Sequence, residues 1–152
     1  MKKNYKIYLI FIFAILIFIL SLIYYNDKVR YVRPKFDENA ISGIPELDDD
    51  DYKKLSPEGL YNFSLLSIPK LNNNKLLLYF TNDGGNLVYL KVRIYKDDKI
   101  IGESDLIKPG EYIEYVNVNS VRKDDTVLIK VMSYNMNNYY SEGVVKLNVE
   151  ID

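Results

Sequence analysis

The sequence has no cysteine, no histidine and no tryptophan among its 152 residues. Without cysteine the chain forms no disulfide and no thiolate metal site, and without histidine it lacks the commonest general base and metal ligand. It also lacks a basic excess, because 20 basic residues stand against 21 acidic ones. We therefore predict no nucleic-acid partner, no bound cofactor or metal, and no catalytic residues.

A long apolar run follows a short basic leader. Residues 7–23 carry no charge, and Tyr24 and Tyr25 extend the run to 19 residues. A helix of that length spans about 28 Å, close to the roughly 30 Å hydrocarbon thickness of a bilayer. We predict an N-terminal transmembrane anchor over residues 1–25, in contact with lipid through residues 7–25.

The alternative for this run is a cleaved signal peptide. Such peptides end in a small-x-small site, whereas this run ends in SLIYYNDK, with bulky residues in those positions. Lysine and arginine are nearly balanced across the span, so the positive-inside rule does not decide orientation. The short basic leader favours a cytoplasmic N-terminus. We expect a single-pass protein of the cell membrane with an extracytoplasmic C-terminal domain.

Residues 26–58 are predicted to form a charged stalk. Four basic residues lie near the membrane, Lys28, Arg30, Arg33 and Lys35. Seven acidic residues and no basic ones follow between residues 37 and 51, and Asp48 to Asp51 form an uninterrupted run. That run lacks the spacing and glycine of an EF-hand loop, so a solvated linker is favoured over a Ca²⁺ site. The apolar AISGIPEL segment is expected to pack against the following domain.

Residues 59–152 alternate between strand patterns and turn signals. In residues 87–95, apolar side chains recur at every second position, the period of a half-buried strand. The seven predicted strands are residues 61–68, 75–82, 87–95, 99–107, 112–119, 126–134 and 143–151. Seven short strands in about 100 residues predict an all-β, antiparallel, immunoglobulin-like sandwich behind the membrane helix. A small barrel is the alternative closure.

Three segments carry a resemblance to a known group of proteins: FTNDGGNLVYLKVRIY, GESDLIKPGEYI and KVMSYNMNNYYSEGVVKLN. They resemble small, membrane-anchored, uncharacterised extracytoplasmic proteins of low-GC Gram-positive bacteria, some of which are carried on conjugative elements. The resemblance covers the chain from Ile41 to the C-terminus. It implies a compact sandwich behind an N-terminal signal or anchor, with residues 106–113 forming a structural corner, and it implies no catalytic residue.

Pairs of carboxylates offer the remaining route to catalysis. Glu103 and Asp105 are two apart in a strand and share a face, but no substrate cleft is visible in the sequence. Ser104 and Ser141 have no histidine to activate them. A solvated strand edge is the favoured interpretation of the carboxylates, and an exported hydrolase is the least favoured functional class.

The strongest candidate for binding is the tyrosine- and asparagine-rich connection before the last strand. The candidate binding residues are Tyr134, Asn137, Asn138, Tyr139 and Tyr140. We expect Asn137, Asn138 and Tyr139 to be exposed, with Tyr134 and Tyr140 nearer the core. Aromatic rings and amides suit both a protein partner and a sugar, and the same tyrosines could instead close the end of the core.

The predicted function is that of a membrane-anchored, extracytoplasmic, non-catalytic module that binds another surface or membrane protein. The alternative is a cell-wall glycan-binding module that uses residues 134–140. If the loop does not bind, the exposed sheet face with Tyr89, Lys91 and Arg93 is the next candidate surface.

Overall fold

The computed structural model describes residues 2–28, 32–47 and 50–152. The chain divides into two compact units, with the boundary between Arg33 and Pro34. Part of the predicted stalk, Arg30 with Asp48 and Asp49, lies outside the described residues.

The first unit is a single helix, α1 (Lys2–Lys28). Its segment Ile7–Tyr25 is 19 residues long and apolar enough to cross a membrane. The large apolar side chains of that segment are 48% to 69% exposed. A helix that is apolar on all sides suits a lipid environment. The prediction of an N-terminal helix of membrane-spanning length is therefore confirmed, and a signal sequence can also be long and apolar enough to meet this description.

The second unit is built from strands. They are β1 (Ile41–Ser42), β2 (Tyr52–Leu55), β3 (Phe63–Leu66), β4 (Lys70–Asn72), β5 (Lys75–Asn82), β6 (Val88–Lys96), β7 (Lys99–Glu103), β8 (Glu111–Asn117), β9 (Thr126–Asn135) and β10 (Ser141–Glu150). One sheet has the order β1-β8-β5-β3-β2, with β4 also paired to β5, and the other has the order β10-β9-β6-β7. Within both sheets the paired strands are antiparallel.

The fold agrees with the sequence prediction in class and differs from it in strand number. Each of the seven predicted strands overlaps an observed one, and the two antiparallel sheets share one core, so the all-β, sandwich-like prediction is confirmed. Within the described residues there are ten strands instead of seven. The additional strands, β1, β2 and β4, have only two to four residues each. Segments this short carry no periodic signal from which they can be predicted.

The core lies between the two sheets and comes from alternate positions along the long strands. β5 and β6 contribute side chains of opposite sheets that are fully buried, Leu76, Leu78, Phe80, Leu90, Val92 and Ile94. Burying one such side chain contributes roughly 1.5 to 3 kcal/mol. The period-two pattern of the sequence therefore identified the core face correctly.

Two turns and one close approach depend on particular backbone residues. Asp97 and Asp98, at φ 48° and 60°, connect β6 to β7 as the sequence predicted, since Asp tolerates a left-handed conformation. Gly110, at φ 77°, forms the predicted turn before β8. At Gly102 an added Cβ would lie 2.5 Å from the backbone oxygen of Asn117, so only glycine allows β7 to approach β8 this closely.

The predicted stalk is mostly part of the folded unit. β1 pairs with β8, β2 pairs with β3, and Phe36 forms a parallel bridge with Leu106. The folded unit therefore begins at Pro34 and not at residue 59. The many acidic residues of the segment suggested a solvated linker. The segment is nevertheless attached to the fold by its short strands and by the Phe36 bridge.

Candidate functional site

Two chain connections lie together at one end of the sandwich. The link between β5 and β6 covers residues 83–87, and the link between β9 and β10 covers residues 136–140. Val88 pairs with Asn135 at the ends of β6 and β9, which makes the two links neighbours. The candidate loop therefore belongs to a surface made from both connections.

The amides of the candidate loop are largely engaged in folding it. The Asn135 Oδ1 atom accepts hydrogen bonds from the backbone N–H groups of Asn137 and Asn138, at 2.8 and 3.3 Å. The Asn138 Oδ1 atom accepts one from the Tyr140 N–H at 2.9 Å, and the Asn135 Nδ2 atom donates one to Glu142 at 2.7 Å. Such side chain to backbone bonds fix a tight turn.

Tyr139 is buried, which contradicts the prediction that it is exposed. Its side chain is packed so that only 8% of the residue is accessible, and its φ is 63°. Its ring lies 5.5 Å from the Tyr89 ring and 6.4 Å from the Phe36 ring, centroid to centroid. The positive φ turns the ring back toward the sheet. Phe36 comes from the segment that the sequence assigned to the stalk, so this contact was not foreseen.

The prediction for Tyr140 is wrong in the opposite direction. It was expected nearer the core, and it is 60% exposed. Asn137 and Asn138 are exposed as predicted, and Tyr134 is half-buried. The five predicted binding residues thus do not form one surface, because Tyr139 faces inward. The binding role of the remaining loop residues stays a prediction.

A buried amide network holds the neighbouring hairpin. Asn82 is fully buried, and its Nδ2 atom donates to the backbone oxygens of Val88 and Ile107 at 3.0 and 2.9 Å. Its Oδ1 atom accepts from the Asn86 Nδ2 atom at 2.6 Å, and Asn86 also exchanges hydrogen bonds with the Asn62 backbone. Because each buried polar atom has a partner, this network makes the end of the sandwich rigid.

Charge pairing fixes the outer part of the same hairpin. The Lys54 ammonium lies 2.6 Å from the Asp83 carboxylate, which also accepts a hydrogen bond from the Gly85 N–H at 2.9 Å. The Lys54 hydrogen bond, followed by that of Gly85, lowers the pKa of Asp83 below its ordinary value. Both contacts favour the ionised carboxylate.

Tyr61 closes the interior beneath this end. It is 5% exposed, and its hydroxyl donates a hydrogen bond of 2.6 Å to the backbone oxygen of Val131. Burial raises the pKa of Tyr61 to about 12. Together with the residues described above it forms the inner layer of this end, Tyr61, Asn82, Asn86 and Tyr139.

A second set of side chains at the same end is exposed and apolar. We call it the outer layer: Leu60, Leu87, Met136 and Tyr140, which are 50%, 85%, 36% and 60% exposed. A pocket of about 410 Å³ lies between residues 59–62 and 85–88, with Ser133 and Glu142 also lining it. Leu60 and Leu87 line the pocket, whereas Met136 and Tyr140 lie on the connection between β9 and β10. Exposed apolar side chains beside a shallow pocket are typical of surfaces that contact a partner.

The sheet face proposed as the second candidate surface is largely covered. The Tyr89 and Phe36 rings form an edge-to-face contact, with 4.9 Å between their centroids. Lys91 is only 9% exposed. The Glu103 Oε2 atom accepts from Arg93 at 2.7 Å and lies 3.2 Å from the Lys91 Nζ atom. Burial alone would raise the pKa of Glu103, but these two hydrogen bonds outweigh it and lower the pKa. Glu103 is thus one partner of an ion-pair network on this face.

Comparisons of the chain with protein-family models, with curated proteins and with solved structures found no match. The resemblance to small extracytoplasmic proteins therefore stays a prediction from motifs. Within residues 2–28, 32–47 and 50–152, no group of three or more acidic side chains is arranged to hold a metal ion.

Proposed function

We propose that this chain is a membrane-anchored, extracytoplasmic and non-catalytic module that binds another surface or membrane protein through the outer layer. The observation that carries the proposal is that exposed apolar side chains lie above a buried, hydrogen-bonded layer at one end of the sandwich. Three of the four exposed apolar side chains lie on the two connections described above, and Leu60 lies on the neighbouring link between β2 and β3. Hydrogen bonds hold each of these segments in place. Exposed apolar groups on a rigid base favour protein contact, since little ordering entropy is lost on binding.

The proposal includes an immunoglobulin-like topology. Its support is the strand order, with β3, β5 and β8 adjacent in one sheet and β10, β9, β6 and β7 adjacent in the other. In sandwiches of this kind, loops at the ends carry the binding surfaces. The outer layer has that position.

The proposal also includes a single membrane span with the folded unit outside the cell. The 19-residue apolar helix supports the span, and the short basic leader supports the orientation. Because the chain has no cysteine, single cysteines report topology without background. With intact cells, a membrane-impermeant maleimide is expected to label a Lys99→Cys variant and to leave a Lys2→Cys variant unlabelled until the cells are opened. Labelling only after lysis at both positions would contradict the orientation.

Photo-crosslinking tests the binding surface. A photoreactive amino acid at Leu87 in the full-length protein, expressed in its own cells, should yield a discrete, protease-sensitive crosslinked species. The same substitution at Lys99, an exposed residue of β7, is the matched control and should not yield it. Equal crosslinking from both positions would contradict a partner surface at the outer layer.

Binding of cell-wall glycan is the second candidate function. The exposed Tyr140 ring favours it, since sugar rings stack on exposed aromatic side chains. The crosslinked species separates the two functions, because a glycan adduct is removed by a wall hydrolase and a protein adduct by a protease. Retention of the protein on purified peptidoglycan, lost in Tyr140→Ala, would support the glycan function.

A further inference from the structure

The two sides of the sandwich are closed to different degrees. On one side, β1 pairs with β8 of one sheet and the Phe36 ring packs against Tyr89 in β6 of the other, so one segment contacts both sheets. On the other side, the edge strands β10 and β2 leave a groove of about 520 Å³ between them. The groove is lined by Lys53, Leu55, Leu65, Ser67, Lys146, Leu147, Asn148 and Val149. Of these, Leu55, Leu147 and Val149 pack on the core while staying only half-buried.

The outer edge of β10 has backbone groups directed toward this groove. Past the end of β10, the Ile151 N–H donates to Asp125 and its oxygen accepts from Asp124, so Ile151 faces the β9 side. Successive residues of a strand direct their backbone groups to opposite sides, so Lys146, Asn148 and Glu150 direct theirs outward. Among the described residues, no backbone hydrogen bond reaches these three outward positions.

The free edge has a defined end. The N–H of Asp152 donates to Pro69 and its oxygen accepts from Leu71, at 2.9 and 3.0 Å. An added strand must therefore stop before Asp152. Pairing along Lys146 to Glu150 leaves room for a segment of roughly five to seven residues.

The charge of the groove is of one sign. Two of its eight lining residues are charged, and both are lysines, Lys53 and Lys146. Both residues are exposed, so each can approach an acidic side chain on an incoming strand. A second copy of this chain is the alternative occupant, because an antiparallel contact centred on Asn148 would place Lys146 opposite Glu150 of the other copy, and the sedimentation measurement below distinguishes the two occupants.

We propose that this groove binds an extended acidic peptide segment of a partner protein, which pairs with the outer edge of β10 as an additional strand. Alternate apolar side chains of the peptide cover Leu55, Leu147 and Val149, and its acidic side chains lie near Lys53 and Lys146. The main-chain bonds supply affinity, and the lysines and apolar groove supply selectivity. This site is separate from the outer layer and does not depend on the function proposed for it.

The test uses the full-length protein in phosphatidylcholine nanodiscs and a fluorescein-labelled synthetic nonapeptide of alternating valine and glutamate. We expect saturable binding by fluorescence anisotropy. The double variant Lys53→Glu/Lys146→Glu should weaken it by at least about tenfold, since it replaces two attractive charges by repulsive ones. Lys99→Glu makes the same kind of change on the opposite edge strand of this sheet and should leave binding unchanged.

Two further measurements separate strand addition from simple charge attraction. A peptide N-methylated at every second residue keeps its side chains but loses alternate donors, and we expect it not to bind. Amide hydrogen exchange of Lys146, Asn148 and Glu150 should slow when the unmodified peptide binds, whereas Leu147 and Val149 should exchange slowly in its absence.

Three results would overturn the proposal. The first is equal binding of the N-methylated and unmodified peptides, and the second is unchanged affinity in the double lysine variant. The third is a dimer of the peptide-free protein in sedimentation that Asn148→Pro dissociates, because that result assigns the β10 edge to a second copy. Proline at this position removes an outward N–H without removing a bond to β9.

Discussion

At one end of the sandwich, tyrosine and asparagine side chains occur both in the buried inner layer and on the exposed surface. Tyr139 and Tyr140 are neighbours in sequence, yet the first is 8% exposed and the second 60%. Asn82 is fully buried, whereas Asn137 is exposed. The difference is set by backbone direction and by available partners, and not by the side chains themselves. The tyrosine- and asparagine-rich composition therefore indicated a candidate site at this end, but it did not distinguish the buried residues from the exposed ones.

The largest effect is expected from Asn82→Ala, which removes the centre of the inner layer. The change leaves the oxygens of Val88 and Ile107 and the amide of Asn86 with fewer partners in a buried site. Each buried polar group left unsatisfied costs about 1 to 3 kcal/mol. We expect the free energy of unfolding to fall by about 3 kcal/mol or more, measured by urea unfolding of the full-length protein in detergent with tyrosine fluorescence.

Asn137→Ala is the matched control for that measurement. Because Asn137 is exposed on the loop, the free energy of unfolding of the Asn137→Ala variant should stay within about 0.5 kcal/mol of the wild-type value. Equal losses in the two variants would contradict a special role of the buried Asn82 network in stability.

Tyr139→Ala should have the next largest effect, because it removes a ring packed against both Phe36 and Tyr89. We expect a loss of about 2 to 3 kcal/mol, less than for a ring in the main core, where truncation costs about 3 to 5. Differential scanning calorimetry measures the change as a lower melting temperature. Tyr139→Phe keeps the ring and should retain most of the stability. If Tyr139→Ala melts like the wild type, the ring does not support this end.

The fold was predictable where it depends on local periodicity. From Val88 to Ile94 every second residue of β6 is apolar, and Leu90, Val92 and Ile94 are fully buried as that pattern requires. The turn at Asp97 and Asp98 was equally predictable, because short acidic side chains tolerate positive φ. The short strands β1, β2 and β4 were not, because their pairing depends on partners distant in sequence.

The candidate site was predictable in position and not in detail. The cluster of tyrosine and asparagine indicated the connection before β10, which lies at the end where the outer layer is exposed. The inward turn of Tyr139 depends on Phe36, a contact across about 100 residues of sequence that no local pattern encodes. Leu60 and Leu87 were also missed, since each adjoins a strand and resembles a core residue. Their position beside glycine- and asparagine-rich turns was the available signal.

Tyr61→Phe should have a smaller effect that depends on pH. Loss of the hydrogen bond to the Val131 oxygen should cost about 1 kcal/mol at pH 7. Burial raises the pKa of Tyr61 to about 12, above the unfolded value of about 10. The protonated form thus stabilises the folded state fully below pH 10, and this contribution is lost as the pH rises to 12. The advantage of the wild type over Tyr61→Phe should therefore disappear between pH 10 and 12 in urea unfolding. A difference constant across that range would contradict the buried position of the hydroxyl.

The smallest effect on stability, and the most informative one for function, is expected from Tyr140→Ala in the outer layer. Since Tyr140 is 60% exposed and its backbone makes the loop's hydrogen bonds, the variant should unfold within about 0.5 kcal/mol of the wild type. The crosslinked species obtained from position 87 should nevertheless decrease, because a central interface tyrosine can contribute 2 kcal/mol or more to binding. Reduced crosslinking with unchanged stability would show that Tyr140 contacts the partner and does not stabilise the fold. Unchanged crosslinking would restrict the partner surface to Leu60 and Leu87, the two residues of the outer layer that line the pocket.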